Sequence, residues 1–232
     1  MSNTAPTLFI GMPAHDSRLN KATHNSLMML VASQKFNLHM PIMSGGGVAV
    51  ARNKLAHSFM QSPAEYCLWL DGDIDFEPAD VVQLYSRQEP IIGGLYPHKT
   101  TKNFALSCRG LGKQLDETGK VEVAAVGTGF LMVQKQTCLR IKEAFPQNAY
   151  YEDWSDGQGE LKHAFFMEQV VCDPQWNIDR PTLLTEDWFF CYTARKAGFK
   201  VYADTKVNLG HYEGSVRFPF PGQPGLPEVE AV

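Results

Sequence analysis

Little in this sequence is long, paired or repeated, and each absence removes a class of protein. No run of about 18 apolar residues occurs, the length a membrane-spanning helix requires, so no membrane span is expected. The five cysteines (Cys67, Cys108, Cys138, Cys172, Cys191) contain no CxxC pair and no regular spacing. That argues against a zinc knuckle, a redox dithiol or a disulfide framework, and for free, mostly buried thiols in a reducing compartment. The opening "MSNTAPTLFIGMP" lacks a basic segment followed by a long apolar one, so no secretory signal is expected and a cytoplasmic location is. The net charge of −4 over 232 residues gives no general affinity for nucleic acid or anionic membrane, although a local basic face would escape that count. No internal repeat is visible.

What is present is a core. Hydrophobic residues make up 44% of the chain and charged ones 20%, which suits one sizeable globular domain. Residues 7–14 (TLFIGMPA) read as a buried strand, 24–36 as a helix, 36–43 as a weaker strand and 44–60 as a glycine loop feeding a helix. "YCLWL" (66–70) is a continuous apolar run suited to a central strand covered on both faces. Residues 78–88 open with proline at a first helical turn. This alternation predicts an α/β fold of Rossmann-like character: a mixed central sheet flanked by helices. Beyond residue 91 the pattern shifts to short strands (IIGGLY, FALSC, VEVAAVG, FLMVQ) with few helices between them, predicting a smaller second sheet region. One strand is expected near 163–170 within an aromatic, acidic insert at 146–181. A helix is expected over 185–198, with Thr185 as cap, acids first, bases last and Gly198 as stop. Two strands ending at Asp204 and His211 follow. Residues 1–216 are expected to form one domain, with a nucleotide-binding half to about 95 and a second half over 96–216. The proline-rich residues 217–232 are expected to be an extended or disordered tail.

The most informative stretch is "YCLWLDGDIDF", where the apolar run breaks into Asp71, Asp73 and Asp75. In open α/β sheets ligands bind beyond the carboxyl ends of the strands. In an extended chain residues i and i+2 point the same way, so Asp71 and Asp73 can converge on one divalent cation, and carboxylate oxygens suit Mg2+ or Mn2+. The plainer alternative is a solvated turn. A helix-loop-helix calcium site is excluded, because the positions requiring glycine and glutamate hold Phe76 and Val82. A phosphatase-type aspartyl nucleophile fits poorly, with Asp75 where a hydroxyl residue belongs.

The order of pieces adds specificity. A strand ending in DxD, then GTGFLMV, then TEDWFFCYTARKAGFKVYAD, then a strand ending in histidine resembles the metal-dependent glycosyltransferases of the GT-A fold. It looks closest to the short single-domain forms of bacteria and large DNA viruses, over roughly residues 7–214 (in a viral case the compartment would be the host cytoplasm). The resemblance implies that Asp73 binds a metal on the diphosphate of a nucleotide sugar, with Asp71 touching the metal or the ribose and His211 as third protein ligand. An imidazole among oxygen ligands favours Mn2+ somewhat over Mg2+. The acidic pair at a helix start makes Asp187 the candidate base, with Glu186 on acceptor hydroxyls; offsetting the helix dipole is the alternative role. "MPAHDS" points to Pro13, His15 and Asp16 at the nucleotide base, or else to an ordinary turn. "GGGVAVARN" resembles the family segment whose arginine faces the nucleotide diphosphate, which makes Arg52 a phosphate-contact candidate, its planar fork suiting phosphate; an exposed helix arginine is the common alternative. No Gly-Lys-Ser/Thr follows the glycines, so they form no phosphate-cradling P-loop. Gly127 and Gly129 suggest close backbone approach to the donor sugar, or a tight bend. Asp75 is expected to be structural, capping the helix near Pro78. The loop "YPHKTTKN" (His98, Lys99, Lys102) is read as solvated. Tyr150, Tyr151, Trp154 and Trp176 would shape an acceptor site.

The implied activity is sugar transfer, inverting, from a nucleoside diphosphate sugar (a UDP sugar first) to a hydroxyl acceptor: a glycan, or a hydroxylated DNA base. Two rivals remain. A sugar-nucleotide nucleotidyltransferase needs a basic glycine-rich loop after the first strand, which "GMPAHDSRLN" lacks. A non-catalytic, metal-dependent carbohydrate-binding module explains the aspartates and aromatics, but not the Glu186–Asp187 helix start.

Overall fold

The structure is a computed structural model describing residues 5–14, 18–97, 99, 107–110, 116–151 and 159–219. In chain order the first half is β1 (Thr7–Pro13), α1 (Lys21–Ala32), β2 (Asn37–His39), β3 (Ile42–Met43), α2 (Val48–Gln61), β4 (Tyr66–Leu70), β5 (Ile74–Asp75), α3 (Pro78–Ser86) and β6 (Ile91–Gly94). Then come β7 (Cys108–Arg109), β8 (Lys120–Val123), β9 (Ala125–Val126), β10 (Phe130–Gln134) and α4 (Lys135–Ala144). The remainder is β11 (Ala149–Tyr151), β12 (Leu161–His163), β13 (Gln169–Asp173), β14 (Ile178–Leu184), α5 (Glu186–Lys196), β15 (Val201–Asp204), β16 (Gly210–Glu213) and β17 (Val216–Pro219).

The main sheet runs β2-β1-β4-β10-β6-β15-β8, with β3 also on β1. It is mixed, as expected. β1 pairs in parallel with β2, β3 and β4, whereas β10 runs antiparallel between β4 and β6. Every residue of β4 is buried, which is why its side chains are apolar without alternation. The reversal at β10 positions the site. Phe130, its first residue, lies opposite Leu70, the last of β4, so the glycines before β10 arrive beside Asp71.

Several expectations shift. The helix foreseen at 24–36 begins at Lys21, because the Asn20 side chain accepts from the Ala22 N–H and caps it earlier. The weak strand of 36–43 divides into β2 and β3 around Met40–Pro41. α4 and β14 were not foreseen: α4 buries only Thr137, Cys138 and Ile141, too thin a stripe to announce itself, and β14 contains Pro181. The single strand expected at 163–170 is replaced by β12 and β13. His211 is the second residue of β16, not the end of a strand over 206–211, because β16 starts where it can pair antiparallel with β5. Residues 217–219 of the expected tail pair with β16, and residues 220–232 lie outside the described residues. Cys67, Cys138 and Cys191 are buried and Cys172 is exposed, all free thiols. Among the described residues no helix is long and apolar enough to cross a membrane.

One aromatic stack joins the sheet to the second half. Trp69 of β4 meets Phe166 edge-on at 5.0 Å, and Phe166 stacks on Phe190 of α5 at 4.9 Å. Phe166 sits in irregular chain, so its backbone needs partners from elsewhere. Asn53 of α2 supplies them: Oδ1 accepts from the Phe165 and Phe166 N–H groups at 2.9 and 3.0 Å, and Nδ2 donates to the Phe166 carbonyl at 2.8 Å. Replacing Asn53 with alanine strands three buried backbone groups, each worth about 1–3 kcal/mol when desolvated and unpaired. The expected loss is about 3 kcal/mol after relaxation, lowering the melting temperature by roughly 6–12 °C for a chain of this size. A shift under about 2 °C in a thermal melt would show that Asn53 does not hold this segment.

Candidate active site

Each of the three aspartates after β4 meets different partners. Asp71 follows the last residue of β4, and its N–H donates to the Gly129 carbonyl at 3.0 Å. Its Oδ1 accepts from Arg52 Nη2 at 2.8 Å, while Arg52 Nη1 reaches Glu186 Oε1 at 2.5 Å. Arg52 was expected at a diphosphate. Instead its side chain, 4% exposed, is committed to these two carboxylates. Burial by itself would weaken the guanidinium charge, but Asp71 and then Glu186 outweigh it and hold the group more firmly protonated than usual. The Phe166 ring lies 5.9 Å beneath it. Arg52 therefore ties the end of β4 to the start of α5, joining Asp71 to Glu186.

Asp73 is the aspartate that meets His211. The β5–β16 ladder sets His211 opposite Ile74, and the Tyr212 N–H donates to the Asp73 carbonyl at 2.9 Å. This brings His211 Nε2 within 3.5 Å of Asp73 Oδ1, from a segment far away in sequence. His211 Nδ1 lies 2.8 Å from the Pro97 carbonyl. A carbonyl only accepts, so Nδ1 carries the proton. Nε2 then faces the carboxylate either as the N–H of an imidazolium or as a lone pair, and the second arrangement is favourable only with a cation between them. The Lys99 ammonium meets the other oxygen, Oδ2. Burial raises the Asp73 pKa, but the hydrogen bonds of His211 and Lys99 more than reverse this, leaving it below the usual carboxylate range. Lys99, read from sequence as solvated, thus belongs to the site.

Asp75 serves the fold. Its Oδ2 accepts from Arg217 Nε at 2.9 Å, fastening the β16–β17 hairpin that carries His211. The cap of α3 falls to Asp80 instead, whose Oδ2 accepts from the Glu77 N–H at 2.8 Å.

Tyr96 is a residue no motif marks. Its buried hydroxyl accepts from the Gly129 N–H at 3.0 Å, and its ring meets that of His211 edge-on at 5.3 Å. Burial and then the Asp71 charge push its pKa well up, with Asp187 adding to the effect, so it is a neutral phenol at any physiological pH. Gly127 and Gly129 flank that hydroxyl. A Cβ would stand 2.3 Å from it at residue 127 and 2.7 Å at residue 129, the latter also 3.0 Å from Asp71 Oδ2. The glycines are required by this phenol.

A cavity of about 1150 Å3 opens in front of Asp71, Asp73, Lys99 and His211. Pro13 and Ala14 at the end of β1 form one wall, and Gly45, Gly46 and Gly47 another. These three glycines have φ of 87°, 74° and 84°, the left-handed region that other residues rarely adopt, and they lead into the N-terminus of α2. His15 and Asp16, expected beside Pro13, lie outside the described residues, as do His98, Lys102 and Trp154. Glu186 and Asp187 open α5. Asp187 Oδ1 accepts from the Thr185 hydroxyl at 2.5 Å and the Trp188 N–H at 2.8 Å. Of the expected acceptor aromatics, Tyr151 is exposed on β11 and Trp176 lies 4.5 Å under the Arg195 guanidinium.

Asp73 and His211 suit a small divalent cation whose remaining ligands come from phosphate and water, the usual manner for Mg2+ and Mn2+. Asp71 lines the same cavity, with its Oδ1 accepting from Arg52 Nη2. Among the described residues no cluster of three His, Cys, Asp or Glu side chains forms a closed metal cage.

No protein-family model matches this chain, and no curated protein matches it in sequence. Solved structures do. The crystal structure of A197 from STIV aligns with a TM-score of 0.54 over 97% of this chain and 98% of that one, at 14% identity. GalNAc-T7, solved with UDP, GalNAc and Mn2+, gives a TM-score of 0.49 at 11% identity over 93% of this chain, which spans 45% of that protein's length. The chain is thus similar in fold to A197 from STIV along nearly its whole length.

Proposed function

We propose that this chain is a metal-dependent glycosyltransferase of the GT-A type, its catalytic domain spanning residues 1–216. It transfers a sugar from a nucleoside diphosphate sugar, UDP sugars first, to a hydroxyl acceptor. The observation that supports this reading most is the meeting of Asp73 and His211 at 3.5 Å, at the carboxyl end of the central strand and on the wall of the 1150 Å3 cavity. That is the place where open α/β sheets bind ligands, and the volume exceeds the range typical of drug-sized pockets.

Asp73 Oδ1 and His211 Nε2 would hold Mn2+ or Mg2+, which when bound neutralises charge on the departing diphosphate. Pro13 and Ala14 border the half of the cavity assigned to the nucleotide, and contact with its base is the role assigned to His15 and Asp16. Asp71 is oriented by Arg52, and Gly127 and Gly129 keep the backbone low beside it. Asp187 is assigned the acceptor proton, with inversion at the sugar carbon; its Oδ1 contacts to Thr185 and Trp188 fix the carboxylate in one orientation. Glu186 is held through Arg52 on the acceptor side.

The direct test is a panel of nucleotide sugars with Mn2+, reading nucleotide release with and without glycan or hydroxylated-base acceptors. Release from no donor under any condition would overturn the reading. The Asp73→Asn variant is expected to lose release by at least about 10³-fold with an unchanged circular dichroism spectrum, since it removes the charge that retains the metal. Metal-dependent turnover surviving in that variant would remove Asp73 from its role. Asp187→Asn is expected to bind donor normally while turnover falls about 10²–10⁴-fold, the range a positioned base contributes. Near-normal turnover would eliminate Asp187 as the base.

A further inference from the structure

Asp71 and Asp75 are each met by an arginine, whereas Asp73 is met by a lysine and a histidine. We infer that Lys99 is the resident counter-cation of Asp73, which a divalent ion must displace to enter the site. The inference rests on the proposed metal role of Asp73 and extends it to a residue that no motif assigns.

The supporting geometry is local. The Lys99 ammonium pairs with Asp73 Oδ2, while Asp73 Oδ1 faces His211 Nε2 at 3.5 Å, so one carboxylate is shared between a lysine and the proposed metal position. Lys99 also lines the large cavity alongside Asp71, Asp73 and His211. An ammonium is a compact point charge on a flexible stem, and a doubly charged ion arriving at the same carboxylate would be repelled by it. Exposure makes exchange feasible. The Lys99 side chain is 34% exposed, against 4% for the Arg52 side chain that holds Asp71. An ammonium at that exposure regains water when it leaves, whereas the buried guanidinium could not depart without leaving two carboxylates unpaired. Lys99 lies two residues beyond Pro97, whose carbonyl fixes the His211 tautomer, so one short segment sets both the metal-facing nitrogen and the competing charge.

The experiment titrates Mn2+ alone into the full chain without donor, reading free Mn2+ by electron paramagnetic resonance, for wild type, Lys99→Met, Lys99→Arg and Asp73→Asn. Lys99→Met is expected to bind Mn2+ about tenfold tighter than wild type, equal to about 1.4 kcal/mol. Lys99→Arg, which keeps the charge, should stay near wild type, and Asp73→Asn should lose binding. Equal or weaker binding by Lys99→Met, with Asp73→Asn still losing it, overturns the exchange and leaves the metal site standing. If neither wild type nor Lys99→Met binds Mn2+, or if Asp73→Asn binds as well as wild type, the metal reading itself falls and the exchange with it.

Discussion

Three carboxylates within five residues cannot end a buried strand unless cations from elsewhere come to meet them. That electrostatic demand organises the molecule around the end of β4. Arg52 from α2 meets Asp71, Lys99 and His211 meet Asp73, and Arg217 from β17 meets Asp75. The four partners come from three segments, so satisfying the aspartates gathers α2, the chain after β6, and the C-terminal hairpin at the carboxyl end of β4. Arg52 extends the gathering to α5 through Glu186. Of these cations only Arg52 is deeply buried, and removing it would leave the charges of Asp71 and Glu186 without their partner. The same contacts thus hold the fold and shape the cavity.

The fold class was legible because it depends on local periodicity: the wholly apolar β4, the proline opening α3, and the charge-graded α5, whose Thr185 hydroxyl donates to Asp187 instead of capping the helix. The position of the candidate site was legible because acids at the end of a buried strand have few structural explanations. Partners were less so. Whether Arg52 faces phosphate or carboxylate depends on which segment lies across from it, and that follows from β10 entering antiparallel beside β4. A continuous apolar strand such as FLMVQ looks the same in either direction. Tyr96 carries no signal in sequence, since a buried phenol and a core tyrosine are spelled alike. The glycines flanking its hydroxyl were seen, but the group that requires them was not. Lys99 illustrates the same limit from the other side: a lysine in a polar loop reads as solvated until a carboxylate is found against it.

The three aspartates also differ in how firmly they are held, and this assigns their roles. Asp71 is bound by a guanidinium that burial traps and a second carboxylate anchors. Asp75, on β5 beside β16, is met by Arg217 from β17 across the small sheet. Exchanging Arg52 for a ligand would leave both Asp71 and Glu186 without their guanidinium. Asp73 pairs with an ammonium that is partly in water, and of the three it alone faces an imidazole whose other nitrogen is pinned. Under the proposed function, a site that exchanges an ion needs one replaceable contact on a rigid base. The turn at residues 72–73 between β4 and β5 sends Asp71 to Arg52, Asp73 to Lys99 and His211, and Asp75 to Arg217.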